Sequence, residues 1–399
     1  MLSSAGARMD PHRLACAALT YLAEPDDAVL GTLLGMCEPA EMVAAIRAGR
    51  LPERLIASLA DCDPADRAAV TRAMQRWRIR LPALPDDQSL AALCRGGVRL
   101  VCPSDPEWPQ GLDRLVSARP YALWLRGNAD LAFGCMRSVS MVGSRAATGY
   151  GTHVAGEIAA DLSERGWALV SGGAYGIDAA VHRGALISGG STIAVLACGV
   201  DHPYPAGHAD LFEAITDDGL VISEWPPGSR PTRLRFLVRN RVIAALTAGT
   251  VVVEAGERSG ALNTARHAAE LGKPLMAVPG PVTSAQSAGC HKILRDWSGS
   301  CVTSAADIAA MLASAGEELP GPRPVVALRP EELTRDDLDL DSARVLDAFP
   351  ARGAVGASTI AVRAGVDINT VLSRIGRLAS AGFIQSSPAG WRLARKAYK

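Results

Sequence analysis

From residue 139 to residue 280 the apolar positions come in short runs, each followed by glycine or serine and then by a stretch of helical spacing. The runs cover residues 139–142, 168–170, 192–197, 220–222, 251–253 and 275–278. Continuous apolar runs of this length, alternating with helical patterns, predict buried parallel strands in a doubly wound α/β sheet. All strands of such a sheet end on one edge. The turns after the runs therefore meet there, at the edge where ligands bind. These turns begin Gly143-Ser144-Arg145, Ser171-Gly172-Gly173-Ala174-Tyr175-Gly176, Cys198-Gly199, Ser223-Glu224, Glu254-Ala255-Gly256 and Pro279-Gly280. Residues 121–127 predict one further strand leading into the sheet.

On either side the pattern changes. Residues 10–80 are rich in Ala and Leu at helical spacing and are broken by Pro25, Pro39, Pro52 and Pro64. They predict a small helical domain over residues 1–82, with a structural or partner-binding role favoured over DNA binding. The sheet domain is expected over 83–312. Residues 313–340 combine seven Asp or Glu with a cluster of Pro and Gly, which predicts an extended acidic linker. From 341 to 399 the chain turns basic, with nine Lys or Arg against three Asp. Helices are expected over 342–349, 359–364 and 369–381, followed by two short strands around Ser386-Ser387-Pro388-Ala389-Gly390. That succession predicts a winged helix, with Ser373, Arg374 and Arg377 outward on its third helix and either DNA or protein as its contact.

Composition removes several classes. Net charge is zero, so nucleic-acid affinity has to come from local patches. Nine cysteines without a C-x-x-C pair suit neither a zinc site nor a disulfide framework, and reduced thiols packed as small hydrophobes are expected. The longest N-terminal apolar stretch, residues 14–22, is too short and too acidic at its flanks for a signal peptide or a span, so a soluble, cytoplasmic protein is expected. Met9 is a second candidate start. Gly272-Lys273 is followed by Pro274, not Ser or Thr, so there is no P-loop, and no metal or cofactor motif occurs.

The candidate chemistry lies in the turns. Gly143-Ser144-Arg145 opens a helix and offers a hydroxyl, a helix N-terminus and a guanidinium to a phosphate. Ser171, Gly172, Gly173, Tyr175 and Gly176 form a second glycine-rich turn of related chemistry, with no carboxylate after the next strand to hold a ribose. Between Glu224 and Glu254 stand Arg230, Arg233, Arg235, Arg239 and Arg241 without an acid, around Phe236 and Trp225. Arginine interleaved with aromatic rings suits single-stranded nucleic acid, because guanidinium binds phosphate while rings stack on bases. A helix is expected from residue 238, which puts Arg239 and Arg241 on its first turn against the helix dipole. The loop before it, with Phe236, is expected to be exposed. Ser259 and Gly260 are expected to cap the next helix. Glu254 is assigned first to an ion pair with Arg239 or Arg241, ahead of acid–base work with Glu257. His202 and His208 are expected at the surface or as caps.

These residues resemble the DNA-processing protein A (DprA/Smf) family. The resemblance rests on Val142-Gly143-Ser144-Arg145, on Ser171-Gly172-x-Ala174-x-Gly176-Ile177-Asp178 with His182-Arg183-Gly184-Ala185-Leu186, on Phe236-x-x-Arg239-Asn240-Arg241 and on Glu254-Ala255-x-Glu257-Arg258-Ser259-Gly260. It covers roughly residues 120–297 in one order. It implies an extended Rossmann-like fold between an N-terminal SAM-like helical domain and a C-terminal winged helix. It also implies a non-enzymatic homodimer that binds and protects incoming single-stranded DNA and loads the RecA recombinase during natural transformation. By the motif match, Ser144, Arg145, Ser171, Gly172, Gly176, Phe236, Arg239 and Asn240 would line the DNA pocket. The chain departs from the family at Gly173, usually Leu, and at Tyr175, usually basic. It departs again at Leu237, usually Pro, and at His291, usually Asn. The rival readings are a nucleoside-monophosphate-processing Rossmann enzyme, whose Pro-Gly-Gly-x-Gly-Thr turn is replaced here by residues 254–260, and a transcription factor acting through the winged helix.

Overall fold

The computed structural model describes residues 9–60, 63–94, 97–313, 338, 340–350, 353–380, 383–387 and 390–394. The chain forms two compact units, Met1–Ser314 and Ala315–Lys399.

The first unit is built on a nine-stranded sheet. Its strands are β1 (Val98–Val101), β2 (Leu123–Arg126), β3 (Ser138–Val142), β4 (Ala168–Ser171), β5 (Thr192–Val195), β6 (Leu220–Ser223), β7 (Thr250–Val252), β8 (Leu275–Ala277) and β9 (Ser300–Cys301). They lie in the order β1-β2-β6-β5-β4-β3-β7-β8-β9. Strands β3 to β9 are mutually parallel, and β2 joins β6 antiparallel with β1 antiparallel beyond it. The chain runs outward from β3 through β4, β5 and β6, then returns to the other side of β3 for β7, β8 and β9. This reversal places the turns after β3 and β7 next to each other, at the kind of crevice where open α/β sheets take ligands.

All six parallel strands predicted from the apolar runs are present. Their residues are buried throughout, as a sheet covered on both faces requires. Side chains alternate between the faces. Val139, Met141 and Val251 pack under α8 (Gly149–Glu164), α9 (Ile177–Ile187) and α14 (Ala305–Leu312). Val142, Val170 and Val252 pack under α11 (Arg233–Leu246), α12 (Ala261–Glu270) and α13 (Ala288–Asp296). The polar exceptions are paired: the Ser140 and Thr250 hydroxyls meet at 2.7 Å across β3 and β7. Strands β1 and β9 were not expected, because Arg99 interrupts the apolar run of β1 and β9 has only Ser300 and Cys301.

The N-terminal residues form five helices, α1 (Pro11–Leu22), α2 (Ala28–Leu34), α3 (Pro39–Ala48), α4 (Glu53–Ala60) and α5 (Pro64–Ile79). Asp10, Asp27 and Asp63 cap α1, α2 and α5. Leu19, Leu22, Leu30, Leu33, Ile46 and Trp77 share one core with Trp124 of β2 and with Phe212 on α10 (Ala209–Asp218). The buried Trp124 indole donates to the Thr20 hydroxyl at 3.2 Å, so the helices and the sheet are continuous. The remaining helices of this unit are α6 (Asp87–Leu93) and α7 (Leu131–Met136).

The second unit contains α15 (Leu340–Asp347), α16 (Ala357–Ala364) and α17 (Ile368–Ser380), then the antiparallel pair β10 (Ile384–Ser387) and β11 (Gly390–Leu393). Val345, Leu346, Ile360, Val371, Ile375, Leu378 and Phe383 form its core. Gly365, left-handed at φ +66°, ends α16 at the expected turn. On α17, Ser373 is exposed and Arg374 lies 4.0 Å from Asp341, while the side chain of Arg377 is outside the described residues. The expected linker falls almost wholly on residues 314–337, also outside them.

Candidate nucleic-acid interface

The helix carrying the arginines begins earlier than the sequence suggests. Thr232 caps α11, its hydroxyl accepting from the Arg235 amide at 3.4 Å. Phe236 therefore lies in the helix, half-buried, and not in an exposed loop. Arg239 and Arg241 sit in the helix interior, away from the first turn, and the dipole argument passes to Arg233 and Arg235.

The arginine cluster is also partly neutralised, contrary to expectation, by acids outside the run, Glu24 and Asp26 from the N-terminal part of the chain and Glu224 at its boundary. Glu24, just past α1, accepts from Arg235 at 2.8 Å, from Arg80 at 2.9 Å and from the Trp225 indole at 2.9 Å. Burial alone would raise its pKa, but these bonds, from Arg235 first, bring it down to about 2. Arg241 forms a bidentate pair with Glu224 at 2.6 and 2.7 Å, both residues buried, and lies 3.8 Å from Asp26.

Arg239 is placed differently. It is also buried, but its guanidinium is held by carbonyls, donating to Gly172 at 2.9 Å and to Val195. Its Nε donates to Asn240 Oδ1 at 3.2 Å. Burial lowers its pKa, the Asp178 carboxylate opposes this and Arg145 adds to it, leaving a value of about 10. Arg239 therefore stays charged at neutral pH. Asp178 is buried beneath it and accepts from the amides of Gly172 and Ala174 at 3.2 and 3.4 Å. Burial pushes its carboxyl up, while Arg239 and the surrounding amides oppose the shift.

In front of this layer is a cleft of about 800 Å³, between the β3–α8 turn, α11 and the β7–α12 turn. The Arg145 guanidinium lies 4.5 Å from the Phe236 ring centre, with Arg239 at 5.9 Å. The Tyr204 ring stands 5.6 Å from the same ring, tilted by 50°. Arg233 and Arg258 complete the lining cations. Arg145, Arg233 and Arg258 are exposed and make no ion pair among the described residues. Four arginines thus face one lining carboxylate, Asp178, which points its charge at backbone amides.

The turn bearing Arg145 is rigidly seated. Ser144 donates its amide to the Glu254 carbonyl at 2.7 Å. The buried Glu254 carboxylate accepts from the Thr148 amide at 2.9 Å and hydroxyl at 2.6 Å. This corrects the ion-pair assignment of Glu254: β7 lies beside β3, so its end meets the β3–α8 turn, whereas Arg241 points toward the end of β6. Glu257 is exposed and outside the cleft lining.

Of the residues picked out from sequence, Ser144, Arg145, Phe236, Arg239, Asn240, Ser259 and Gly260 meet on this cleft. Asn240 bridges to the Gly260 carbonyl at 3.3 Å and to Asn263 at 3.2 Å. Ser171 does not reach it: its hydroxyl is fully buried and donates to the Met141 carbonyl at 2.7 Å. Gly172 lies behind the cleft as the support of Arg239, and Arg241 faces away. Gly173, at φ +67°, accepts from His208, which stands at the N-cap position of α10 without a side-chain capping bond and is buried, not a surface group. Tyr175 and Gly176 lie on the far side of the Ser144–Arg145 turn. Gly176 packs so closely under it that a Cβ would come 2.2 Å from the Ser144 carbonyl oxygen. Asp178, Thr148 and Tyr204 were missed as site residues. Asp178 stood inside a recognised motif, but nothing local marks a carboxylate as buried.

A family model described as DNA recombination-mediator protein A matches residues 99–313. The chain is 43% identical over 399 residues to a DNA processing protein DprA of Mycobacterium tuberculosis, covering 97% of this chain and 96% of that one. It is 32% identical over 329 residues to the protein Smf of Escherichia coli, covering 82% and 85%. Among solved structures, that of DNA processing protein A from Streptococcus pneumoniae is similar at a TM-score of 0.60 and 30% identity, covering 77% of this chain and all (100%) of that one.

Proposed function

The chain belongs to the DNA recombination-mediator protein A family, and from that premise we propose that its cleft binds single-stranded DNA. The observation that carries this reading is the grouping of Arg145 and Tyr204 around Phe236, beside the cations Arg233 and Arg258 that make no ion pair among the described residues. A phosphodiester strand supplies the missing anions and its bases supply faces for the rings. A duplex hides those faces, so single strands are preferred.

The wider role is part of the same proposal, with family membership in its support. The protein protects incoming single strands and hands them to RecA, acts as a homodimer, and does so in the cytoplasm. No helix among the described residues is long and apolar enough to cross a membrane. The second unit, three helices and a hairpin with a basic sequence, is a winged helix, and the acidic, Pro-rich sequence of residues 313–340 is the linker before it. The helices within residues 1–82 form a SAM-like domain set on the sheet domain of residues 83–312. The protein works by binding and not by turnover. The buried carboxylates at the sheet edge, Glu224, Glu254 and Asp178, are engaged by Arg241, by Thr148 and by backbone amides.

The test compares Arg145→Ala with the wild-type chain on single- and double-stranded oligonucleotides over a salt series, with nucleotide hydrolysis assayed in parallel. The wild-type chain is expected to prefer single strands and turn nothing over. The variant should bind less tightly, lower the log–log salt slope by about 0.7, and melt at an unchanged temperature. Equal binding of duplex, or hydrolysis of a nucleoside monophosphate, would overturn the reading.

A further inference from the structure

We infer that the single strand leaves the cleft over the Ser144–Arg145 turn and continues into a second groove, of about 670 Å³, between α8 and α9. This inference rests on the proposed binding of single-stranded DNA and extends its path.

Two loops carry the continuity. In the β4–α9 turn Ala174 lines the cleft, while the next residues, Tyr175 and Gly176, line the groove. In the segment before α10 Tyr204 lines the cleft, while Gly207 and His208 line the groove. The two hollows thus adjoin along these loops, and Gly176 of the groove is pressed against the backbone of the Ser144–Arg145 turn that lines the cleft. An extended polymer seated on Arg145 passes from one to the other without a change of chemistry.

The groove repeats that chemistry. Arg183, on α9, is exposed and makes no hydrogen bond or ion pair among the described residues. Tyr175 is 51% exposed and is held edge-on by the buried His208, with ring centres 4.6 Å apart, so its outer face is open and its orientation supported. A supported ring and an unpaired guanidinium lining one groove are the groups that accept a base and a phosphate. Glu157 is the acid in the lining, on α8. A phosphodiester is favoured over an acidic peptide because a flat, half-exposed ring in the same groove as the cation suits a base, and because the groove adjoins a cleft of the same character.

The experiment uses the full chain and thymidine oligonucleotides of about 5 and about 18 nucleotides, bracketing what one such site spans. The variants are Arg183→Glu and Tyr175→Ala, with thermal melting as a folding control. The wild-type chain is expected to bind the long strand more tightly than the ratio of registers explains. Both variants should lose about 5–20-fold on the long strand and bind the short one as the wild-type chain does, at an unchanged melting temperature. Unchanged binding of both lengths would overturn the second groove, and so would an equal loss on both. If the wild-type chain bound neither length, the cleft reading would fall and this inference with it. If it bound the short strand as tightly as the long one, the groove alone would fall.

Discussion

Arg239 and Arg241 are two residues apart on one helix, equally buried, and used in opposite ways. Two residues on an α-helix are about 200° apart, so the pair faces opposite sides of α11. Arg241 meets Glu224 in a bidentate pair and ties α11 to the end of β6. Arg239 is held by the Gly172 and Val195 carbonyls, with Asp178 near but turned to backbone amides, and it keeps its charge beneath the cleft. A buried cation satisfied by dipoles and not by a carboxylate leaves its field directed outward at a ligand. One face of α11 is thus built to be neutral and the other to stay positive, and a count of arginines along the sequence merges the two.

The sharpest way to break this comparison is Arg241→Ala. Removing one partner strands the buried Glu224 charge, which should cost about 3–5 kcal/mol of stability, read as a lower urea midpoint at constant slope. Single-strand affinity of the folded protein should not change. A loss of affinity with stability intact would move Arg241 to the DNA-binding face.

On the other face, Phe236→Ala should cost about 1–3 kcal/mol of affinity for single strands. Because Phe236 is half-buried and lies under Arg145, inorganic polyphosphate serves as the control ligand. Selective loss against DNA supports stacking, and an equal loss against both ligands would show that the ring only positions Arg145.

The smallest effect concerns Glu24, which ties α1 to the start of α11 on the neutralised side. Its folded pKa, about 2, lies below its ordinary value of 4.5. Its contribution to stability is therefore complete above about pH 4.5 and is lost as pH falls toward about 2. The side chain is 43% exposed, so solvent screens the interaction. The melting temperature of the wild-type chain should approach that of Glu24→Gln as pH drops from 6 to 3. A constant gap between them would mean that packing around Trp225, and not charge, joins these elements.

The contrast also marks how far the sequence could be read. The six parallel strands were legible because a strand buried on both faces has to be apolar at every position, which leaves an unbroken run. Their common orientation placed the turns on one edge, so Ser144, Arg145, Phe236 and Ser259 could be assigned to one site before any contact was known. The start of α11 was missed because the prolines before it masked the cap at Thr232. Ser171 was drawn into the site because its turn is rich in glycine, yet strand pairing directs its hydroxyl to the Met141 carbonyl. Glu224 stood in view at the edge of the arginine run with nothing local to name its partner, and Glu24 was out of reach, 211 residues from Arg235 along the chain. Local composition by itself determined the strands, the edge and the residue types gathered there. Only the tertiary structure decided which arginine is spent on a carboxylate and which is left for a ligand, because ion pairing depends on distances of a few ångströms between segments whose separation in sequence carries no such information.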